Sequence, residues 1–102
     1  MLKVAGNRIN PLEIEEVVNE LEFVLESAVI GEADEIFGQR VICFVVGMRS
    51  AENELRIKKH CSDVLSDYKV PRKLFWLEEI PKTASGKIQR YRLTKEMESQ
   101  HG

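Results

Sequence analysis

The chain has little cysteine, little histidine and no long apolar run, and each shortage closes a class of function. Two cysteines in 102 residues are too few for the disulfide framework of a small secreted domain. Cys43, inside an apolar run, and Cys61, inside a helical pattern, read instead as buried reduced thiols. His60 lies beside Cys61 and His101 lies in the tail, without the short loops that gather metal ligands, so no metal site is expected. The longest apolar stretch, Val41 to Val46, falls far short of the roughly 20 residues that a membrane helix needs. The first residues do not read basic-then-apolar as a signal peptide does, and the expectation is a cytoplasmic protein with no membrane span. Internal repeats, low-complexity segments and linkers are also missing, so residues 1–102 read as a single domain.

What the chain does hold is the composition of an ordinary globular protein, 43% hydrophobic and 31% charged, which argues against disorder. Its formal net charge of −2 conceals an asymmetry. Pro11 to Gly38 carries nine acids and no Lys or Arg, whereas Ile80 to Lys95 carries five bases and no acid. The second segment suits phosphate chemistry. Nucleic-acid binding is not expected, because Tyr91 between Arg90 and Arg92 is a single aromatic among bases on an otherwise acidic chain.

Hydrophobic periodicity predicts alternating helices and strands. Leu2 to Ala5 reads as a strand. Asn10-Pro11-Leu12-Glu13 reads as a helix start, with Asn10 as cap, Pro11 at the first helical position, Glu13 reaching back as in a capping box, and Ile9 and Ile14 closing a hydrophobic staple. Ile14, Val17, Val18 and Leu21 recur at helical spacing and leave Glu13, Glu15, Glu16, Asn19 and Glu20 for the wet side. Val24 to Ile30 and Arg40 to Val46 are β-branched runs separated by Gly31, Asp34 and Gly38. They predict two paired strands, the second, apolar on both faces, in the centre of the sheet. Ile57, Cys61, Val64, Leu65 and Tyr68 share a face of a second helix that ends before Val70-Pro71. Lys73 to Glu78 predicts a short strand containing Phe75 and Trp76, Pro81 to Lys87 an exposed loop, and Gln89 to Met97 a basic helix. The fold class is α+β, a small mixed β-sheet flanked by helices.

Two loops carry chemistry. In Pro81-Lys82-Thr83-Ala84-Ser85-Gly86-Lys87-Ile88-Gln89-Arg90, the Gly before Lys87 lets backbone approach a ligand, and an ammonium beside hydroxyls suits charge developing on phosphoryl or carboxylate oxygens. Local composition alone favours a plain solvated loop. A nucleotide P-loop is excluded: Pro81 occupies the position five before Gly86, and Ile88 stands where a magnesium-binding hydroxyl belongs. At the other end, Gly6-Asn7-Arg8-Ile9 lies between the first strand and the first helix, where Gly6 permits close approach and Arg8 offers a planar fork to phosphate. Taken alone, it is a turn with a surface arginine.

Taken in order, Gly6 to Glu15, Tyr68-Lys69-Val70-Pro71 and Pro81 to Leu93 resemble the C-terminal domain of the adenylate-forming superfamily, and most of all that of AMP-forming acyl-CoA synthetases. The resemblance covers essentially the whole chain. It implies an acid-thiol ligase that activates a carboxylic or fatty acid with ATP and Mg2+ to an acyl-adenylate, then forms the coenzyme A thioester, the small domain swinging between two poses. It implies that Lys87 is catalytic and touches nucleotide in the first pose, that Ala5 and Gly6 line the coenzyme A channel in the second, and that Lys3 and Arg8 approach the nucleotide phosphates. The phosphate loop, acyl pocket, ribose-binding acid and most of the ATP and Mg2+ site belong, in that family, to a large N-terminal adenylation domain, which is the implied partner. The hinge is expected just before Met1, and the isolated chain is expected to be inactive. Peptide-synthetase domains place an acidic residue two positions beyond the lysine where this chain has Gln89, so coenzyme A is favoured over a carrier-protein arm. From another class, a non-catalytic module binding an anion or partner through Pro81 to Lys95 remains the alternative.

Overall fold

A computed structural model describes the backbone of residues 1–101 and the side chains of residues 1–99, so the side chain of His101 lies outside the described residues. The chain opens with strands β1 (Leu2–Val4) and β2 (Asn7–Ile9), which pair antiparallel with Lys3 opposite Arg8. The second of these strands replaces the simple turn expected between Gly6 and Ile9. Helix α1 (Pro11–Asn19) begins as its sequence dictates. The Asn10 side chain accepts from the Leu12 N–H at 3.0 Å, Pro11 takes the first helical position, and Ile9 and Ile14 are both buried. Two details differ from expectation. Glu13 does not reach back, because its carboxylate accepts from the Lys69 ammonium at 2.7 Å, an ion pair that raises the Lys69 pKa. The helix also stops two residues before Leu21, which packs on the core from the following turn.

Strands β3 (Val24–Asp34), β4 (Gly38–Gly47) and β5 (Lys73–Trp76) form a mixed sheet in the order β3-β4-β5, the first pair antiparallel and the second parallel. Val41 to Val46 are all buried, which is why β4 is central. Successive side chains of a strand face opposite ways, and they divide the interior in two. Val29, Val41, Cys43 and Val45 pack with α1 and with Ile57 and Cys61 of helix α2 (Ala51–Val64). Ala28, Ile30, Ile42, Phe44 and Val46 pack with Leu93 and Met97 of helix α3 (Arg90–His101) and with Ile80. Each fully buried Ile or Val contributes about 1.5–3 kcal/mol to folding, so both cores matter. The α+β class stands, with helices on both faces.

Helix α2 starts at a Ser50 cap, whose hydroxyl accepts from the Asn53 N–H at 2.9 Å. Its predicted inner face is shorter than expected: Ile57 and Cys61 are buried, but Val64 is 56% exposed. The chain leaves the helix at Leu65, and a 3-10 turn at Asp67–Lys69 brings Leu65 and Tyr68 back to the core by a bend that helical periodicity does not contain. Phe75 stacks on Phe44 with centroids 5.3 Å apart, and the Trp76 indole N–H donates to Glu54 Oε1 at 2.8 Å, so these aromatics are internal packing. Both cysteines are buried free thiols. Burial pushes Cys43 well up and Cys61 up to about 11, which keeps them protonated at neutral pH. The larger surprise is Glu15, assigned to the wet side by its charge and only 4% exposed.

Candidate functional site: two glycine turns

The β1–β2 hairpin turns on Ala5 and Gly6, at φ 50 and φ 81. Two successive positive φ values are those of a type I′ turn, the tightest connection that matches strand twist. The Asn7 side-chain amide donates to the Val4 and Ala5 carbonyls at 3.4 and 3.3 Å, and the Ala5 N–H donates to the Phe37 carbonyl at 2.8 Å. Phe37 belongs to the β3–β4 turn, which Asp34 closes by accepting from the Phe37 and Ile36 N–H groups, both at 2.9 Å. Those two bonds hold the Asp34 carboxyl below its usual pKa. One turn is thus built on another. Lys3 and Arg8 project from the hairpin as a directly opposed pair of exposed like charges. Neither cation forms an ion pair among the described residues, so the pair presents unneutralised positive charge.

The second turn holds Lys87. The Gly86 N–H donates to the Thr83 carbonyl at 2.9 Å, and the Thr83 N–H donates to the Lys87 carbonyl at 2.8 Å. Gly86 has φ 88. This is a type I turn followed by a left-handed residue, the hairpin closure in which glycine is required because a side chain there strains the backbone. Thr83 reinforces it: its Oγ1 accepts from the Lys87 N–H at 3.1 Å and meets the Ser85 hydroxyl at 3.0 Å. The base closes through the Lys82–Ile88 bridge and a bond from the Gln89 N–H to the Pro81 carbonyl at 2.9 Å. Lys87 is exposed, and among the described residues its ammonium has no partner. Lys82 is by contrast neutralised by Glu26 on β3.

The two turns lie far apart. The hairpin's inward residues Leu2, Val4 and Ile9 belong to the core shared with α1 and α2, whereas Ile80 and Ile88, which bracket the Lys87 turn, pack into the core shared with α3. Lys3 N–H donates to Gln39 Oε1 at 2.9 Å, seating the hairpin at the Ala33–Gln39 end of the sheet, while Lys82 seats the other turn at Glu26. Glu26 and Ala33 are seven positions apart along β3, about 23 Å at the usual rise. Ala5, Gly6, Lys3 and Arg8 therefore come together as one group, and Lys87 stands apart on the opposite face of the sheet.

Glu15 was not legible as a site residue. Its carboxylate accepts from the Val29 N–H at 2.7 Å and from the Arg90 guanidinium at 2.6 and 3.4 Å, and Arg90 also donates to the Val29 carbonyl at 2.7 Å. Val29 lies on β3, an edge strand, so the pair satisfies backbone groups that the sheet leaves open. Removing one partner of a fully buried pair costs about 3–5 kcal/mol, and less is expected here because the Arg90 side chain is one-third exposed. A cavity of about 570 Å³ lies beside the base of the Lys87 turn, lined by Glu26, Glu79, Glu96, Lys82 and Arg92 among others. Its charges are mixed, and Lys87 does not line it. Among the described residues no cluster of His, Cys, Asp and Glu gathers as metal ligands, and no helix is long and apolar enough to cross a membrane.

Comparison with known proteins meets this geometry from outside. Residues 13–87 match the family model of the AMP-binding enzyme C-terminal domain. The 2-succinylbenzoate–CoA ligase of Listeria monocytogenes serotype 4b is 43% identical over 88 residues, covering 86% of this chain and 19% of the relative. The benzoate–CoA ligase of Thauera aromatica is 41% identical over 98 residues, covering 91% and 18%. Among solved structures, an anthranilate CoA ligase in complex with anthranoyl-AMP superposes with a TM-score of 0.87 at 35% identity, over 93% of this chain and 19% of that one. A Mycobacterium tuberculosis fatty acyl CoA synthetase superposes with a TM-score of 0.85 at 33% identity, over 98% and 20%. The chain spans about a fifth of the length of these relatives. With the family model matched over most of its length and the fold matched over nearly all of it, the chain belongs to the AMP-binding enzyme C-terminal domain family.

Proposed function

We propose that the chain serves as one compact domain, the mobile small domain of an AMP-forming acyl-CoA ligase. In the first half-reaction a carboxylate oxygen of the acid attacks the α-phosphorus of ATP and pyrophosphate leaves, giving the acyl-adenylate. In the second, the thiol sulfur of coenzyme A attacks the acyl carbon and AMP leaves. Lys87 acts in the first. Its unpartnered ammonium, held on a turn closed by backbone bonds, is a preorganised donor for the carboxylate and nucleotide oxygens, a role worth roughly a hundred- to thousandfold in rate. Ala5 and Gly6 act in the second, where a turn without bulky side chains lines the passage for the thiol arm. Lys3 and Arg8 offer charge to nucleotide phosphates. ATP and Mg2+ are held mainly by a larger domain, which also chooses the acid. The similarity to CoA ligases supports coenzyme A as acceptor, and a cytoplasmic setting fits soluble substrates of this kind.

The observation that carries this reading is the separation of the two turns. Groups on opposite faces and at opposite ends of a sheet cannot serve one small reacting centre at once, but a domain that reorients between half-reactions can present each in turn. The test uses the full-length gene product with and without Lys87→Ala, assayed for acid-dependent ATP–pyrophosphate exchange and, separately, for thioester formation from supplied acyl-adenylate. The substitution is expected to lower exchange by at least about a hundredfold and to spare thioester formation. Survival of exchange, or a gene product for which no acid supports exchange, sinks the reading in favour of an anion-binding module.

A further inference from the structure

Arg90 is the first residue of α3 and lies three positions after Lys87. A cation is disfavoured there, since a helix N-terminus carries partial positive charge. It is nevertheless held by Glu15 Oε2 at 2.6 Å and the Val29 carbonyl at 2.7 Å, while the same Glu15 oxygen accepts from the Val29 N–H at 2.7 Å. Covering the edge of β3 requires a donor for the Val29 carbonyl and an acceptor for its N–H, which neutral polar side chains could also supply. What a planar guanidinium gripping a buried carboxylate and a carbonyl supplies is direction. The bonds that close the Lys87 turn run within residues 81–89, and the packing of Ile80 and Ile88 that seats it on the sheet is not directional. The Lys82–Glu26 pair ties its outer strand at a solvent-accessible position. At the inner end the tie is Arg90, itself half-buried, on the buried carboxylate of Glu15.

We infer that Glu15 and Arg90 are positioning residues for Lys87: together they fix where α3 starts on the edge of β3 and so aim the turn that bears the ammonium. The inference rests on Lys87 acting in acid activation. The Ala5–Gly6 hairpin has its own ties, to the Phe37 carbonyl and to Gln39, so loosening the ion pair leaves it in place.

The experiment places Glu15→Gln and Arg90→Lys in the full-length gene product, each alone and each combined with Lys87→Ala. It measures thermal unfolding, kcat and KM for pyrophosphate exchange, and thioester formation from supplied acyl-adenylate. Both variants are expected to lower kcat of exchange roughly ten- to hundredfold, as small misplacements of a catalytic group do. KM for ATP and the thioester rate are expected to stay within about twofold. In the Lys87→Ala background neither variant should lower exchange further, because a residue acting through Lys87 has nothing left to act on. Unchanged exchange in a folded variant, equal loss of both half-reactions, or an undiminished effect in the Lys87→Ala background each overturns the inference. Should Glu15→Gln unfold below the assay temperature, Arg90→Lys, which keeps the charge and loses only the fork, decides alone. Survival of exchange in Lys87→Ala itself removes the underlying reading. Loss of exchange in Lys87→Ala beside a fully active Arg90→Lys removes only the positioning role.

Discussion

The two glycine turns are built from the same local chemistry and held by different means. Each is closed by antiparallel pairing and carries a glycine near φ 80 to 90, with nothing within 4 Å of the place a Cβ would occupy at Gly6 or Gly86. The hairpin at Ala5–Gly6 is anchored mainly by backbone, through the Phe37 carbonyl and the strand ladder, with the Gln39 side chain as one further acceptor. The turn at Gly86–Lys87 is closed by its own backbone bonds and a threonine hydroxyl, but it is tied to the rest of the fold by side chains, through the packing of Ile80 and Ile88 and ion pairs that cross the sequence. Backbone anchoring survives most side-chain changes, whereas side-chain anchoring does not. Substitutions remote from the turn should therefore reach Lys87 and spare Gly6.

The open space around Gly6 gives the sharpest way to break that comparison. A Cβ at Gly6 meets no atom of this chain, so beyond the strain of a left-handed valine the added bulk of Gly6→Val is felt by whatever passes the turn. Thioester formation from supplied acyl-adenylate is expected to fall by roughly a hundredfold, the scale of a misplaced reacting group, with pyrophosphate exchange intact. This is the mirror image of Lys87→Ala. A variant that loses both half-reactions equally would show that the turn is structural and that the two loops do not divide the work.

Much of this was legible in the sequence, and the exceptions share a cause. Asn10-Pro11 announces the start of α1 because a cap and a first-turn proline act on neighbouring residues, and the apolar run Val41 to Val46 declares a central strand because burial on both faces admits no polar position. Glu15 was misplaced because its reason for burial is Arg90, 75 residues away, and no local period encodes a partner at that distance. Strand β2 was missed because two of its three residues, Asn7 and Arg8, face water and leave Ile9 as the only apolar mark. The signal that remained was Leu2 opposite Ile9 across a two-residue turn ending in glycine. The turn motifs themselves were visible. Their separation across the sheet was not, since it depends on which face each flanking isoleucine enters.

A matched pair of smaller substitutions sharpens the comparison further. Gly86→Ala and Gly6→Ala place the same methyl at nearly the same backbone angles, φ 88 and φ 81, with no clash at either. Each should cost about 1–2 kcal/mol, the strain of a left-handed L-residue. The loss of stability is therefore common to both, and the functional effect is expected to differ: Gly86→Ala should slow exchange and Gly6→Ala thioester formation. Equal kinetic effects from the two would leave only the shared strain and no division of roles.

Ala5 offers the gentlest probe, because it already bears that strain at φ 50. Asparagine tolerates the left-handed region and precedes glycine in the favoured form of this turn, so Ala5→Asn should raise stability. A gain of about 0.5 kcal/mol corresponds to a rise of roughly 2–4 °C in Tm for a domain of this size. Alanine is the smaller residue, and if the turn lines a passage for the thiol arm, the added amide should slow thioester formation even as the fold tightens, with exchange unchanged. That opposition of sign is what strain kept for function produces. A variant that is both more stable and fully competent in thioester formation would show instead that Ala5 is strained for no functional reason, and that the passage runs past Gly6 alone.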